Sequence, residues 1–135
     1  MKTAKSAIVA GVSLIALTGT LSVGLNAQQT GFTRTVLQKG DISVPGREAV
    51  QVRAEFAPGV AAGKHTHPGE ELGYVMEGTL QLEVEGKPPV MLKAGDVFFV
   101  EAGRIHDGIN VGAGNAKVLA TYVVEKGKPL ATPVK

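Results

Sequence analysis

Cysteine and tryptophan are absent from the 135 residues, and aromatic residues make up only 4%. Without cysteine there is no disulfide framework, no thiol nucleophile, no thiolate metal site and no lipid carried on an N-terminal Cys. Charge is missing over one long stretch: no charged side chain lies between Lys5 and Arg34. The formal net charge is +2, and Lys2 and Lys5 account for that excess, so the chain from Gln28 onward is formally neutral. A nucleic-acid partner needs a clustered basic face, which this charge balance does not support, so none is expected. Histidine is scarce as well, with 3 residues: His65, His67 and His106.

The uncharged stretch has a recognisable order. A short basic start, Met1 to Lys5, precedes an apolar run over residues 6–25, and Leu25-Asn26-Ala27 supplies a small-residue exit before Gln28. Basic region, apolar region and Ala exit together describe a secretory signal, here expected to be removed as residues 1–27. A run of that length also suits a membrane anchor, but Gly11, Gly19 and Gly24, with several Ser and Thr, dilute it. The expected location is therefore exported, in a bacterial periplasm, with no membrane attachment after cleavage.

The remainder reads as one domain of strands and turns: an N-terminal segment or strand over 28–44, a barrel over 45–125 and a tail over 126–135. Residues 49–56 alternate, with Val50, Val52, Ala54 and Phe56 opposite Gln51, Arg53 and Glu55. That is the period of a half-buried strand. Further strands are expected over 71–77, 79–85, 90–93, 97–100, 105–110 and 117–124. Only Glu77-Gly78 separates the second from the third, which predicts a tight hairpin. The runs over 97–100 and 117–124 are apolar on both faces and so need cover. With 18 Gly and no sustained helical period after residue 30, the fold class is all-β, a sandwich or barrel. The tail, with Pro129 and Pro133, cannot donate a full ladder and is expected to drape over a neighbour or fray.

The histidines carry the chemistry. His65 and His67 are two residues apart, so on a strand both imidazoles point to one face. Glu71 follows across the Pro68-Gly69 turn. Two His and a carboxylate make a set that leaves coordination positions open. His106, on a distant strand, adds a fourth donor. With only N and O donors, the expected cofactor is one divalent metal ion, Fe, Mn, Ni or Zn, in an open site.

Those residues carry a resemblance. The pattern G-x5-H-x-H-x3-E-x6-G is filled by Gly59, His65, His67, Glu71 and Gly78, and G-x5-P-x-G-x2-H-x3-N by Gly95, Gly103, His106 and Asn110. The chain thus resembles the cupins over roughly residues 45 to 125, departing only at Glu101, where the family has Pro. The resemblance implies a single-domain jelly-roll β-barrel with the metal inside and His65, His67, Glu71 and His106 as ligands. It also implies a metal-dependent, dioxygenase-like reaction on a small organic molecule, or a binding module that holds a metal or small ligand without turnover. A homodimer is expected from the two-sided strands.

Other residues receive plainer readings. Glu70 should point away from Glu71. Gln51, Arg53 and Glu55 either form a solvated face or line the barrel mouth and hold an anion. Tyr74, Leu72 and Met76 are assigned to packing, Asn110 to strand-end hydrogen bonding, and Gly59, Gly78, Gly95 and Gly103 to turns. Glu101 is either a tolerated turn residue or a carboxylate at the cavity rim. No residue is assigned a catalytic role by spacing alone.

Overall fold

The computed structural model describes residues 30–135, so the signal expected over 1–27 lies outside the described residues. Ten strands follow one another: β1 Phe32–Asp41, β2 Arg47–Phe56, β3 His65–Thr66, β4 Gly69–Glu77, β5 Thr79–Val84, β6 Val90–Lys93, β7 Val97–Val100, β8 His106–Asn110, β9 Ala116–Glu125 and β10 Thr132–Pro133. They form two five-stranded sheets, ordered β1-β2-β9-β4-β7 and β10-β3-β8-β5-β6. The all-β expectation holds.

Alternation decides which faces meet. On β9 the buried residues are Ala116, Val118, Ala120, Tyr122 and Val124, and on β2 they are Val50, Val52, Ala54 and Phe56. These strands pair along their whole length, with Val52 opposite Ala120 and Ala54 opposite Val118. From the other sheet Leu80, Leu82, Val84 and Leu92 complete the core. Burying each of these side chains is worth about 1.5–3 kcal/mol. β9 lies between β2 and β4, which makes its two-sided composition useful: Leu119 and Val123 on its outer face are half-buried.

The expected hairpin at Gly78 is not formed. β4 pairs with β7 and β9, whereas β5 pairs with β6 and β8. The chain therefore turns a corner from one sheet into the other. Gly78 makes that corner possible: its φ is +82°, and a Cβ there would lie 2.6 Å from the Asn115 carbonyl oxygen. A two-residue separation identifies a turn but not whether the strands it joins pair with each other. The other motif glycines, Gly59, Gly95 and Gly103, also have positive φ, as their turn assignment requires.

Of the two outcomes expected for the tail, it takes the first, lying on a neighbouring strand of its own chain. Thr132 and Pro133 pair with Thr66 and His65 of β3, and the Val134 amide donates to the Lys64 carbonyl. Asn110, fully buried, behaves as assigned: its amide donates to the Phe56 and Gly114 carbonyls and its oxygen accepts from the Gly112 amide.

Gly78→Ala is expected to cost about 1–3 kcal/mol, the scale of a strained left-handed residue, read as a lower urea midpoint with an unchanged slope. A variant as stable as the parent would contradict the corner's close approach.

Candidate metal centre

The two sheets bring His65, His67, Glu71 and His106 together, and all four are buried. His65 lies on β3 and His106 on the adjoining β8, directly paired with it. His106 is therefore a strand neighbour, not a residue reaching across the barrel. Glu71 makes the crossing, from β4 in the opposite sheet. His67 lies just past the end of β3, in the link to β4. One donor atom from each of the four lies within 4.8 Å of the others.

Backbone carbonyls orient all three rings. His65 Nδ1 donates to the Gly63 carbonyl at 2.6 Å, His67 Nδ1 to Leu130 at 2.5 Å and His106 Nδ1 to Arg104 at 2.9 Å. A nitrogen facing a carbonyl must carry the proton, so each Nε2 is left facing inward. His65 Nε2 and His67 Nε2 are 3.1 Å apart. His67 Nε2 and His106 Nε2 lie 3.2 and 3.0 Å from Glu71 Oε2. Two donors each about 2.1 Å from one ion and at right angles lie about 3.0 Å apart. The donor set thus fits one divalent metal ion in both chemistry and spacing. Its identity stays open within the group that accepts N and O donors.

Electrostatics prepare the same donors. Burial, with the neighbouring positive groups, pushes the His65 imidazole down to about 3, so it is neutral and able to ligate. Burial alone would raise the Glu71 carboxyl, but the His106 and His67 rings, whose Nε2 atoms stand 3.0 and 3.2 Å from it, outweigh burial and hold Glu71 ionised, well below the usual carboxylate range. Burial also pulls on His106, and its bonds to Glu71 and the Arg104 carbonyl carry it upward instead. The Tyr122 hydroxyl donates to Glu71 Oε1 at 3.0 Å. Burial raises that phenol, which stays protonated as a donor.

A cavity of about 30 Å³ opens beside His65, Glu71 and His106. Its apolar wall includes Phe32, Phe56, Leu80, Leu82, Phe98 and Val118. Two polar side chains on it escaped the spacing argument, Tyr122 and Arg34. Each sits on the inward face of an alternating strand, beside Val118 and Ala120 on β9 and beside Phe32 on β1. A polar residue interrupting an apolar stripe was the signal that could have found them.

The remaining assignments divide. Gln51, Arg53 and Glu55 do not line this cavity; Arg53 pairs with Glu55 at 3.1 Å, and the Gln51 amide donates to Thr121. Glu70 points away, toward Arg47 at 3.8 Å. Glu101 lies off the cavity lining, paired with Lys87 at 2.8 Å. Leu72, Tyr74 and Met76 are exposed on the outer face of β4 and pack into no core.

A family model described as a cupin domain matches residues 52–122. The chain is similar to an oxalate-binding protein of Thermotoga maritima, 36% identical over 73 residues, covering 53% of this chain and 60% of that protein. It is also similar to a beta-alanine degradation protein of Pseudomonas aeruginosa, 32% identical over 84 residues, covering 61% of this chain and 88% of that protein. Among solved structures it is similar to oxalate oxidase in complex with the substrate analogue glycolate, with a TM-score of 0.64 and 25% identity over 80% of this chain and 57% of that one. The chain therefore spans less than two thirds of the oxalate-binding protein and of the oxalate oxidase chain.

Two outcomes test the centre. Deleting residues 129–135 removes the Leu130 carbonyl from His67 and should weaken metal affinity about 10- to 100-fold, measured by competition with a chelating dye; unchanged affinity would mean that the tail does not orient the ring. The second concerns the metal-free protein. Between the ordinary 6.5 of His65 and its folded value of about 3, the unfolded chain holds a proton that the folded chain refuses. Stability therefore falls with falling pH there, by up to about 1.4 kcal/mol per unit from this group. Glu71, held low, adds to the loss below its ordinary 4.5. His106, held high, contributes fully below 6.5 and loses its contribution as pH rises above it. Denaturation midpoints should peak near pH 6.5, and a profile flat toward acid would show that His65 is not buried neutral.

Proposed function

The chain belongs to the cupin family, and on that premise we propose that it is an exported metal-dependent enzyme, dioxygenase-like, acting on a small organic molecule. The observation that carries the reading is the convergence of three imidazole nitrogens and one carboxylate oxygen within 4.8 Å, next to a small, mostly apolar cavity. In this reading His65, His67, Glu71 and His106 hold one divalent ion. Such an ion with open positions polarises a bound oxygen, lowers the pKa of bound water or activates dioxygen. The chain's own part is to hold His65 neutral and Glu71 ionised, to line the site with an apolar wall and to keep Tyr122 as a donor on Glu71. The similarity to proteins named as oxalate oxidases supports redox chemistry.

One observation favours a second reading, a binding module without turnover. Apart from Glu71, His65 and His106, the polar side chains lining the cavity are Arg34 and Tyr122. Neither offers a base near neutral pH, so a reaction here relies on the metal or on its ligands. One relative is named for binding, not for turnover.

Export rests on the basic start, apolar run and Ala exit of residues 1–27. A homodimer is supported by the outer face of the first sheet, where Val97 is 70% and Phe99 53% exposed beside Leu72 and Tyr74. β7 is also an edge strand of that sheet. Exposed apolar faces and open edges favour association.

Elemental mass spectrometry of protein purified from the periplasm should find about one Fe, Mn, Ni or Zn per chain, lost in His106→Ala. Sedimentation of the same sample should give twice the chain mass. Dioxygen uptake over a panel of small organic substrates then separates enzyme from binding module. Absence of bound metal, with no thermal stabilisation when these ions are added back, would overturn the metalloprotein reading.

A further inference from the structure

Tyr122 lies outside both histidine motifs, yet it touches two of the four donor residues. On β9 it is paired directly with Glu71 of β4, so the two side chains stand side by side on the inward face of the first sheet. Both are buried. The phenol hydroxyl donates to Glu71 Oε1 at 3.0 Å, and the ring lies 4.5 Å from the His67 ring, tilted by 52°. The two oxygens of Glu71 thereby face different ways. Oε2 faces His67 Nε2 and His106 Nε2 at 3.2 and 3.0 Å, whereas Oε1 faces the hydroxyl. The backbone of Tyr122 is held on both flanks, with Val50 of β2 and Glu71 of β4 opposite it. A hydroxyl on so confined a ring has little room to follow a carboxylate that turns.

We propose that Tyr122 is a positioning residue that restricts Glu71 to ligation through one oxygen, and so keeps one further position on the ion free. This inference rests on the metal reading given above. A carboxylate can grip a cation through one oxygen or through both. To use both, Glu71 must swing until Oε1 also faces the imidazole nitrogens, which draws that oxygen away from Tyr122. The buried hydroxyl then loses the acceptor the structure gives it, and a buried donor left unpaired costs more than an ordinary hydrogen bond contributes. That cost falls on the two-oxygen grip alone. The cavity beside the donors, at about 30 Å³, exceeds the ~10–15 Å³ that one water needs, so a position left free has room to be filled. Tyr122 thus governs how many ligands from outside the chain the ion takes, without itself touching the ion.

Water proton relaxation of the Mn(II)-loaded protein, which counts the waters held by the ion, tests this against Tyr122→Phe, with metal content measured on each sample. The substitution keeps the ring against His67 and removes the donor alone. The variant should hold one water fewer, because a second carboxylate oxygen takes its position, and should bind Mn(II) no more than about tenfold more weakly than the parent. A tyrosine with a merely structural role would lower thermal stability or metal affinity and leave the water count as it is; that result would overturn the inference. Infrared difference spectra of the parent with and without Mn(II) give a check that needs no variant. Glu71 is the carboxylate among the four donors, and its two stretching bands should be split as widely as those of a one-oxygen ligand. The narrow splitting of a two-oxygen ligand in the parent would overturn the inference as well. If the parent takes up no Mn(II), the metal reading fails and this inference fails with it. If Mn(II) is held but the water count does not depend on Tyr122, only this inference fails.

Discussion

Three imidazole nitrogens aimed at one point in a low-dielectric interior set the terms for the rest of the molecule. Each ring gives its Nδ1 proton to a backbone carbonyl, so each must present Nε2 to the others. Lone pairs about 3 Å apart cannot be left facing each other; a positive charge has to sit among them. In the metal-free state a proton shared between His106 and Glu71 partly meets that need, which is why His106 is held above and Glu71 below their ordinary ranges. A divalent ion meets it fully, with the spacing that N and O donors adopt around it.

The two sheets divide the work. The second sheet supplies the histidine side, with His65 and His106 on paired strands. The first supplies Glu71, the Tyr122 hydroxyl that holds its other oxygen, and Arg34 on the edge strand. Donors from one sheet and charge-balancing groups from the other meet only when the two are packed. The core residues Val52, Val75 and Val100, each almost wholly buried, therefore set the spacing of the site as well as the stability of the fold.

Legibility in the sequence follows the range of each interaction. His65, His67, Glu71 and His106 were readable because short spacings within two motifs determine which way they point. The strands were readable wherever alternation is strict, as in β2 and β9. The corner at Gly78 was misread because a turn's length does not reveal which sheet receives the next strand. Arg34 and Tyr122 stayed hidden because their meaning depends on a sheet partner far along the chain. The β10 pairing escaped because two residues, one of them proline, carry no periodic signal.

The Leu130 carbonyl that orients His67 lies 63 residues further along the chain. A ribosome delivers His65, His67, Glu71 and His106 well before that carbonyl exists. Until that carbonyl is in place, the four donors lack the contact that turns one of them inward. The order of manufacture therefore imposes an order of maturation: a properly oriented centre can only follow closure of the β10 strap, and an ion captured earlier would meet a ring still free to turn away.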